Sequence, residues 1–166
     1  IHRMIHLLKQ RLTYMVLFMV VIFAMTHGIA RGEDIALANL PEIIRNAADK
    51  AIPNAKWNKV VKDTDGKDSW YEVSGMDAKG RKICVTVEPN GDIEEIETEI
   101  KSQNTPKSVM TALRGRLPNF KITAVYEIRN DQDKIIRYDI DGKRSRDKED
   151  VTISFTVDGK FIKLDE

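Results

Sequence analysis

Two rhythms of apolar and polar residues run along the chain from Leu40 onward, and each occurs twice. The first has helical spacing. Ile43, Ile44, Ala47, Ala48, Ala51 and Ile52 fall on one face of a predicted helix, and Val109, Met110, Leu113 and Leu117 do so in a second. Pro41 and Pro106 suit the first helical position, where a missing N–H costs nothing. Thr105 is a good N-cap for the second helix, and Asn39 stands in for the poorly capping Leu40 in the first. Pro53 and Pro118 stop the helices.

The second rhythm has the period of two expected of strands. Ile83/Val85/Val87 and Val151/Ile153/Phe155 alternate with polar neighbours. Strands are predicted at residues 56–62, 69–75, 81–88 and 92–99, and again at 121–129, 134–141, 150–157 and 160–165. Turn chemistry separates them at Asp65-Gly66, Ala78-Lys79-Gly80, Asn90-Gly91, Asp141-Gly142 and Asp158-Gly159. Asn-Gly and Asp-Gly accept the positive φ of tight hairpins, so the strands should be antiparallel.

The two passages match one another. Pro41 precedes Pro53-Asn54-Ala55-Lys56 by the same spacing as Pro106 precedes Pro118-Asn119-Phe120-Lys121, at an offset of 65 residues. The closing stretches, Val85 to Ile96 and Ile153 to Leu164, match at an offset of 68. The three extra residues are expected in hairpin loops, which absorb them at little cost. The pattern therefore predicts an α+β fold of two tandem units, each a helix packed on an antiparallel four-stranded meander. Unit 1 spans residues 40–100 and unit 2 residues 105–166, behind a polar leader at 31–39.

Residues 1–30 differ in kind. Arg3, Lys9 and Arg11 precede a 12-residue apolar run, Tyr14 to Met25, and Gly28-Ile29-Ala30 follows. That is the order of a secretory signal, and the run falls short of the roughly 20 residues of a spanning helix. Cleavage after Ala30 is expected, with no membrane span remaining. The protein is thus expected to be periplasmic or secreted.

Composition narrows the chemistry once that segment is set aside. The remaining 24 basic and 26 acidic residues give a net charge of −2, which offers no excess of cations for nucleic acid. His2, His6 and His27 all lie in the signal segment. The rest of the chain has no imidazole, so Ser-His-Asp and Cys-His catalysis are excluded from it. One cysteine, Cys84, excludes an intrachain disulfide and any zinc site with two thiolates. No catalytic residue, metal site or cofactor is predicted, and the chain is read as a non-enzyme.

The repeated order carries a resemblance. A helix ends at Pro-Asn-[Ala/Phe]-Lys, a strand follows, and then a Tyr-acid-[Val/Ile] strand, Tyr71-Glu72-Val73 or Tyr138-Asp139-Ile140. An apolar alternation, [Asn/Asp]-Gly and a closing strand complete it. This order, from Leu40 to Glu166 and behind a signal, resembles the PepSY-like family, described as similar to β-lactamase-inhibitor proteins. The resemblance implies a non-catalytic envelope protein that binds other proteins or peptides, with peptidases and cell-wall enzymes as candidate targets. Its implied grip is the sheet face away from the helices.

Trp57, Trp70, Tyr126 and Tyr138 are the candidate protein-binding residues, since Trp and Tyr are favoured interface anchors. If Tyr71 and Val73 face the helix, Trp70 points to the opposite face. The competing reading has these aromatics covering a seam between the two units. Cys84 is out of phase with Val85 and should share the face away from the helix, as a pairing thiol or a packed seam residue. Asp63, Asp65 and Asp68 resemble the start of a calcium loop but lack its downstream Glu, so a solvated turn explains them better. Lys143-Arg144-Ser145-Arg146 sits beside four acids or bases of mixed sign, the pattern of a solvated hairpin tip. Glu94, Glu95, Glu97 and Glu99 suit solubility better than paired-carboxylate catalysis. The partner expected is an envelope protein or peptide; the alternative is a second copy of the chain, in a self-associating structural role.

Overall fold

A computed structural model describes residues 32–166. The signal segment predicted at residues 1–30 lies outside the described residues. Among the described residues, nine strands form a single antiparallel sheet in chain order: β1 (Glu33–Asp34), β2 (Lys56–Asp65), β3 (Asp68–Met76), β4 (Lys82–Val87), β5 (Ile93–Ile100), β6 (Lys121–Arg129), β7 (Ile135–Lys143), β8 (Asp150–Thr156) and β9 (Phe161–Asp165). Two ten-residue helices interrupt the order, α1 (Glu42–Ala51) before β2 and α2 (Lys107–Arg116) before β6.

This corrects the predicted fold class. The molecule is predominantly β, one continuous sheet with two short helices, and not two tandem helix-plus-meander units. The overturning contact is the β5–β6 ladder, which pairs Ile96 with Arg129 and Ile100 with Val125. An unpaired strand leaves a row of N–H and C=O groups unsatisfied, and two such edges satisfy each other by pairing. Nothing local announces this pairing, because residues 101–120 separate the two strands.

The helices are entered differently from the expected way. Pro41 (φ −54°, ψ 139°) and Pro106 (φ −54°, ψ 141°) are themselves the extended cap residues, one place before the helix. Neither cap uses a side-chain hydrogen bond, so Asn39 and Thr105 do not cap; Asn39 ends a 3₁₀ turn just upstream and Thr105 follows another. The Pro41 carbonyl accepts from the Ile44 and Arg45 N–H groups, and Pro106 from Met110. At the far ends Asn54 (φ 63°) and Asn119 (φ 62°) take the left-handed conformation that redirects the chain into β2 and β6. Asparagine tolerates that region better than most residues.

Both helices lie on one sheet face. Ile44 and Ala48 pack with Leu40, Val60, Val73, Val85, Val87 and Ile96, with Tyr71 and Ala51 at the margin. Val109 and Leu113 pack with Val125, Tyr138, Ile140, Ile153 and Phe155. The predicted apolar faces are therefore the ones buried, except that Ile43 remains 50% exposed.

Asp141-Gly142 is not the predicted turn. Gly142 lies inside β7, paired between Ile122 and Val151, and the β7–β8 turn falls at residues 144–149, closed by Arg144 N–H to Glu149 C=O at 3.0 Å. The glycine is needed because β6 bulges opposite it, between Ile122 and Ala124. A bulge crowds its partner strand: a Cβ on Gly142 would stand 2.3 Å from the Lys121 carbonyl oxygen. Gly75 faces the β2 bulge in the same way, 2.3 Å from the Lys56 carbonyl. Gly142→Ala should cost about 2–3 kcal/mol, because backbone cannot yield. Gly115→Ala, in α2 with nothing within 4 Å, should instead stabilise by about 0.5–1 kcal/mol. Urea midpoints of the two variants check both signs.

Candidate functional site

The sheet face away from the helices carries the unusual chemistry. Alternation puts Trp70, Glu72, Cys84, Thr86, Glu95, Glu97, Tyr126, Ile128, Arg137, Asp139 and Ser154 on it. The register aligns them across strands. Glu72, Thr86 and Glu95 form one row; Ser74, Cys84, Glu97, Ile128, Arg137 and Thr156 form the next; Glu99, Tyr126, Asp139 and Ser154 form a third.

Its middle is both polar and buried. Glu72, Glu95, Glu97, Arg137 and Asp139 are all at most 5% exposed. Arg137 is the hub. Its two terminal nitrogens donate to the two oxygens of Glu95, with Nη2–Oε2 at 2.7 Å, and its Nε donates to Asp139 Oδ2 at 2.8 Å. Glu95 is on β5 and Arg137 on β7, so the guanidinium reaches across β6 at the middle of the sheet. Bidentate guanidinium–carboxylate geometry is the strong form of this contact. Burial opposes the charge on Arg137, but Asp139 and Glu95 outweigh it and hold the guanidinium firmly protonated. Burial raises Asp139 against the pull of Arg137 and of the adjacent Ser154 side chain.

Glu97 and Glu72 have no guanidinium of their own. Burial, reinforced by Asp139 and Glu95, pushes Glu97 up to about 8 against the attraction of Arg137. Burial likewise pushes Glu72 up to about 7, against the opposing influence of the neighbouring Trp70 side chain. Taking a lone carboxylate out of water favours its neutral form.

The sequence-predicted residues are distributed over both faces. Trp57 lies at the margin of the first helix core, with its indole Nε1 donating to Asp49 Oδ1 of α1 at 2.7 Å. Tyr138 is inside the second core at 4% exposure. Trp70 is on the face away from the helices, as alternation predicts, but is buried rather than outward-exposed. Tyr126 shares that face, is half-buried, and has its hydroxyl pKa raised by burial and by Asp141, Glu99 and Glu97. Only Trp70 and Tyr126 thus sit together on this face, in separate rows. Cys84 is there too, buried, with Ser74 Oγ 3.4 Å from its sulfur. Burial and the nearby Glu97 and Glu72 raise its thiol well above the ordinary range, which makes it unreactive.

Asp63, Asp65 and Asp68 fall at the β2–β3 hairpin, with Asp65 and Asp68 paired across it. Among the described residues, no group of three or more His, Cys, Asp and Glu side chains is placed to hold a metal ion. The basic tip resolves into an ion-pair cluster: Arg144 reaches Asp147 at 2.9 Å, Glu166 at 2.6 Å and also Glu149. A cleft of about 610 Å³ lies at the end of the sheet, between the β3–β4 turn and the start of β6. Its Arg81 is committed to Asp77 at 2.7 Å.

Sequence reasoning missed Arg137 and Asp139 as a unit. The signal was present: Arg137 alternates in phase with Asp139, and Glu95 and Glu97 alternate likewise in β5, so three acids on two strands shared one cation. Reading it needs the β5–β6–β7 register.

No family model matches the chain, and no curated protein matches it. Several solved structures share its fold. A Bacteroides eggerthii protein described as "putative periplasmic" has a TM-score of 0.60 at 17% identity, over 75% of this chain and 86% of that one. A DUF2874 family protein from Bacteroides uniformis has a TM-score of 0.59 at 16% identity, over 75% and 87%. A BLIP-like protein from Bacteroides fragilis has a TM-score of 0.55 at 21% identity, over 75% and 84%. The sheet with its two helices is therefore a known fold, one that includes a BLIP-like protein. Among the described residues no helix is long and apolar enough to cross a membrane.

Proposed function

We propose that the protein is a periplasmic, non-catalytic binding module that docks an envelope protein or peptide on the sheet face away from its helices. The carrying observation is the division of the sheet. α1 and α2 both pack on one face, so neither helix covers the other. Around its packed middle that face keeps accessible residues of mixed chemistry: Lys59, Lys82, Glu99, Tyr126, Asp141, Thr152 and Lys163. An amphipathic tyrosine within a polar rim suits recognition of another protein. The signal-like order of residues 1–30 and the fold shared with a "putative periplasmic" protein support the compartment. The fold shared with a BLIP-like protein supports binding as the mode of action, and the PepSY-like resemblance points the same way.

A non-catalytic role agrees with the chemistry of the face. Shifted carboxyl groups often mark active sites, but Glu72 and Glu97 are 3% exposed and offer a substrate no approach. Each guanidinium nitrogen of Arg137 already donates to Glu95 or Asp139. Of the four aromatics first singled out, Tyr126 is the anchor to test, since Trp70 and Tyr138 are packed inside and Trp57 is tied to α1.

The test is capture from an envelope extract by the immobilised protein. The partner is identified by mass spectrometry, purified and titrated back. A saturable isotherm with a purified partner is the expected result. Failure of every captured protein to rebind, with a mass that rises with concentration in sedimentation, would replace this reading with self-association.

A further inference from the structure

We propose that the face away from the helices is a proton-operated latch, packed shut while Glu72 and Glu97 carry protons and loosened when they ionise. The geometry carries it. The strip buries four carboxyl groups, Glu72 on β3, Glu95 and Glu97 on β5 and Asp139 on β7, with one buried guanidinium, Arg137, which pairs with Glu95 and Asp139 and attracts Glu97. Two of the four, Glu95 and Asp139, accept from all three nitrogens of that guanidinium. Full ionisation would therefore leave a net buried charge of several units, at a cost that grows with each group.

The surroundings of the two free acids offer no relief. Glu97 meets Cys84 from β4, Ile128 and Tyr126 from β6, Arg137 and Asp139 from β7, and Glu95 and Glu99 on its own strand. Cys84 ionises only to a further negative charge. Glu72 meets Trp70 on its own strand, Asp63 and Lys59 from β2, Cys84 and Thr86 from β4, and Glu95 and Glu97 beyond. Lys59 is the cation that acts on Glu72, and it is itself exposed. Protons are thus the counter-ions that keep this strip packed, and their loss is relieved by strands β3–β5 admitting water. Among the described residues the buried carboxyl groups are on this strip, and the apolar helix cores on the other face hold the sheet while it loosens.

Trp70 is a built-in reporter, because its indole lies on the same strand beside Glu72 and favours the ionised form of that carboxyl. In a Trp57→Phe background the emission of Trp70 should shift to the red between about pH 6 and about pH 9, with a midpoint between about 7 and about 8. Amide exchange in β3–β5 should accelerate over the same range beyond its ordinary base catalysis, judged against β8, while the far-ultraviolet dichroism stays constant. Glu72→Gln with Glu97→Gln should abolish the emission change. Side-chain carboxyl ¹³C shifts of the unsubstituted protein give a second reading that needs no variant: two glutamates should titrate well above the rest. All glutamates titrating near the ordinary 4.5, a flat Trp70 emission, or an emission change unaltered by the double substitution would each overturn the latch.

Discussion

Arg137→Met should destabilise the protein by about 3–5 kcal/mol at neutral pH, the largest effect expected of any single substitution here. Methionine fills much of the same space, so the loss is electrostatic. Without the guanidinium, the carboxylates of Glu95 and Asp139 stay in a strip where both are at most 5% exposed. Each must then lose its charge or pull water into the sheet. The position of the contact makes the loss global. Arg137 ties β7 to β5 across β6, the junction where the halves of the sheet meet. Glu95→Gln together with Asp139→Asn in the Arg137→Met background should recover part of the loss, because buried acids then no longer need a cation. Chemical denaturation of the single and triple variants measures this. A loss below about 1 kcal/mol would place the contact with ordinary surface ion pairs.

Stability should fall as pH rises from about 5 to about 8, by on the order of 5 kcal/mol. The sign follows from proton counts. Glu97 is raised from 4.5 to about 8 in the fold, and Glu72 from 4.5 to about 7. Below 4.5 both states hold these protons and neither group alters stability. Above 4.5 the unfolded chain releases them and the fold keeps them, so each group costs about 1.4 kcal/mol per pH unit until its folded value is passed. Asp77, Asp147 and Asp158 have lowered values and support the fold until the pH drops below the ordinary carboxylate range. The optimum therefore lies near pH 4–5, on the acid side of most proteins. Glu97→Gln keeps the shape and removes the proton, so it should stabilise at about pH 8 by on the order of 3 kcal/mol and change little at about pH 5. Melting temperatures across this range, in both proteins, decide the matter.

The elements themselves were legible in the sequence. Every predicted strand from 56 to 165 corresponds to an observed one, and the apolar stripes Ile44/Ala48 and Val109/Leu113 are the buried helix faces. These are local properties, set by side-chain period and by turns such as Asn90-Gly91, whose glycine has φ 91°. What failed were relations between distant residues. The β5–β6 ladder joins strands across a 20-residue connection, and it turned two expected units into one sheet. Asp141-Gly142 reads as a turn from its residue types, whereas the β6 bulge opposite it is what calls for glycine. β1 was missed because a two-residue edge strand has no period to detect. On the candidate face, alternation put Trp70 and Cys84 on the correct side, but their burial depends on neighbours supplied by other strands. Glu95 and Glu97 looked like solubilising surface charge for the same reason.

The direct test of the account is a pair of binding isotherms with the purified partner. Tyr126→Ala alters the face away from the helices, and Ile43→Ala alters an exposed side chain on the helix face. Anchor truncation at an interface typically costs about 2 kcal/mol or more. The account predicts at least about tenfold weaker binding for Tyr126→Ala and an unchanged isotherm for Ile43→Ala. Loss of binding in Ile43→Ala with Tyr126→Ala unaffected would place the partner on the helices and contradict it.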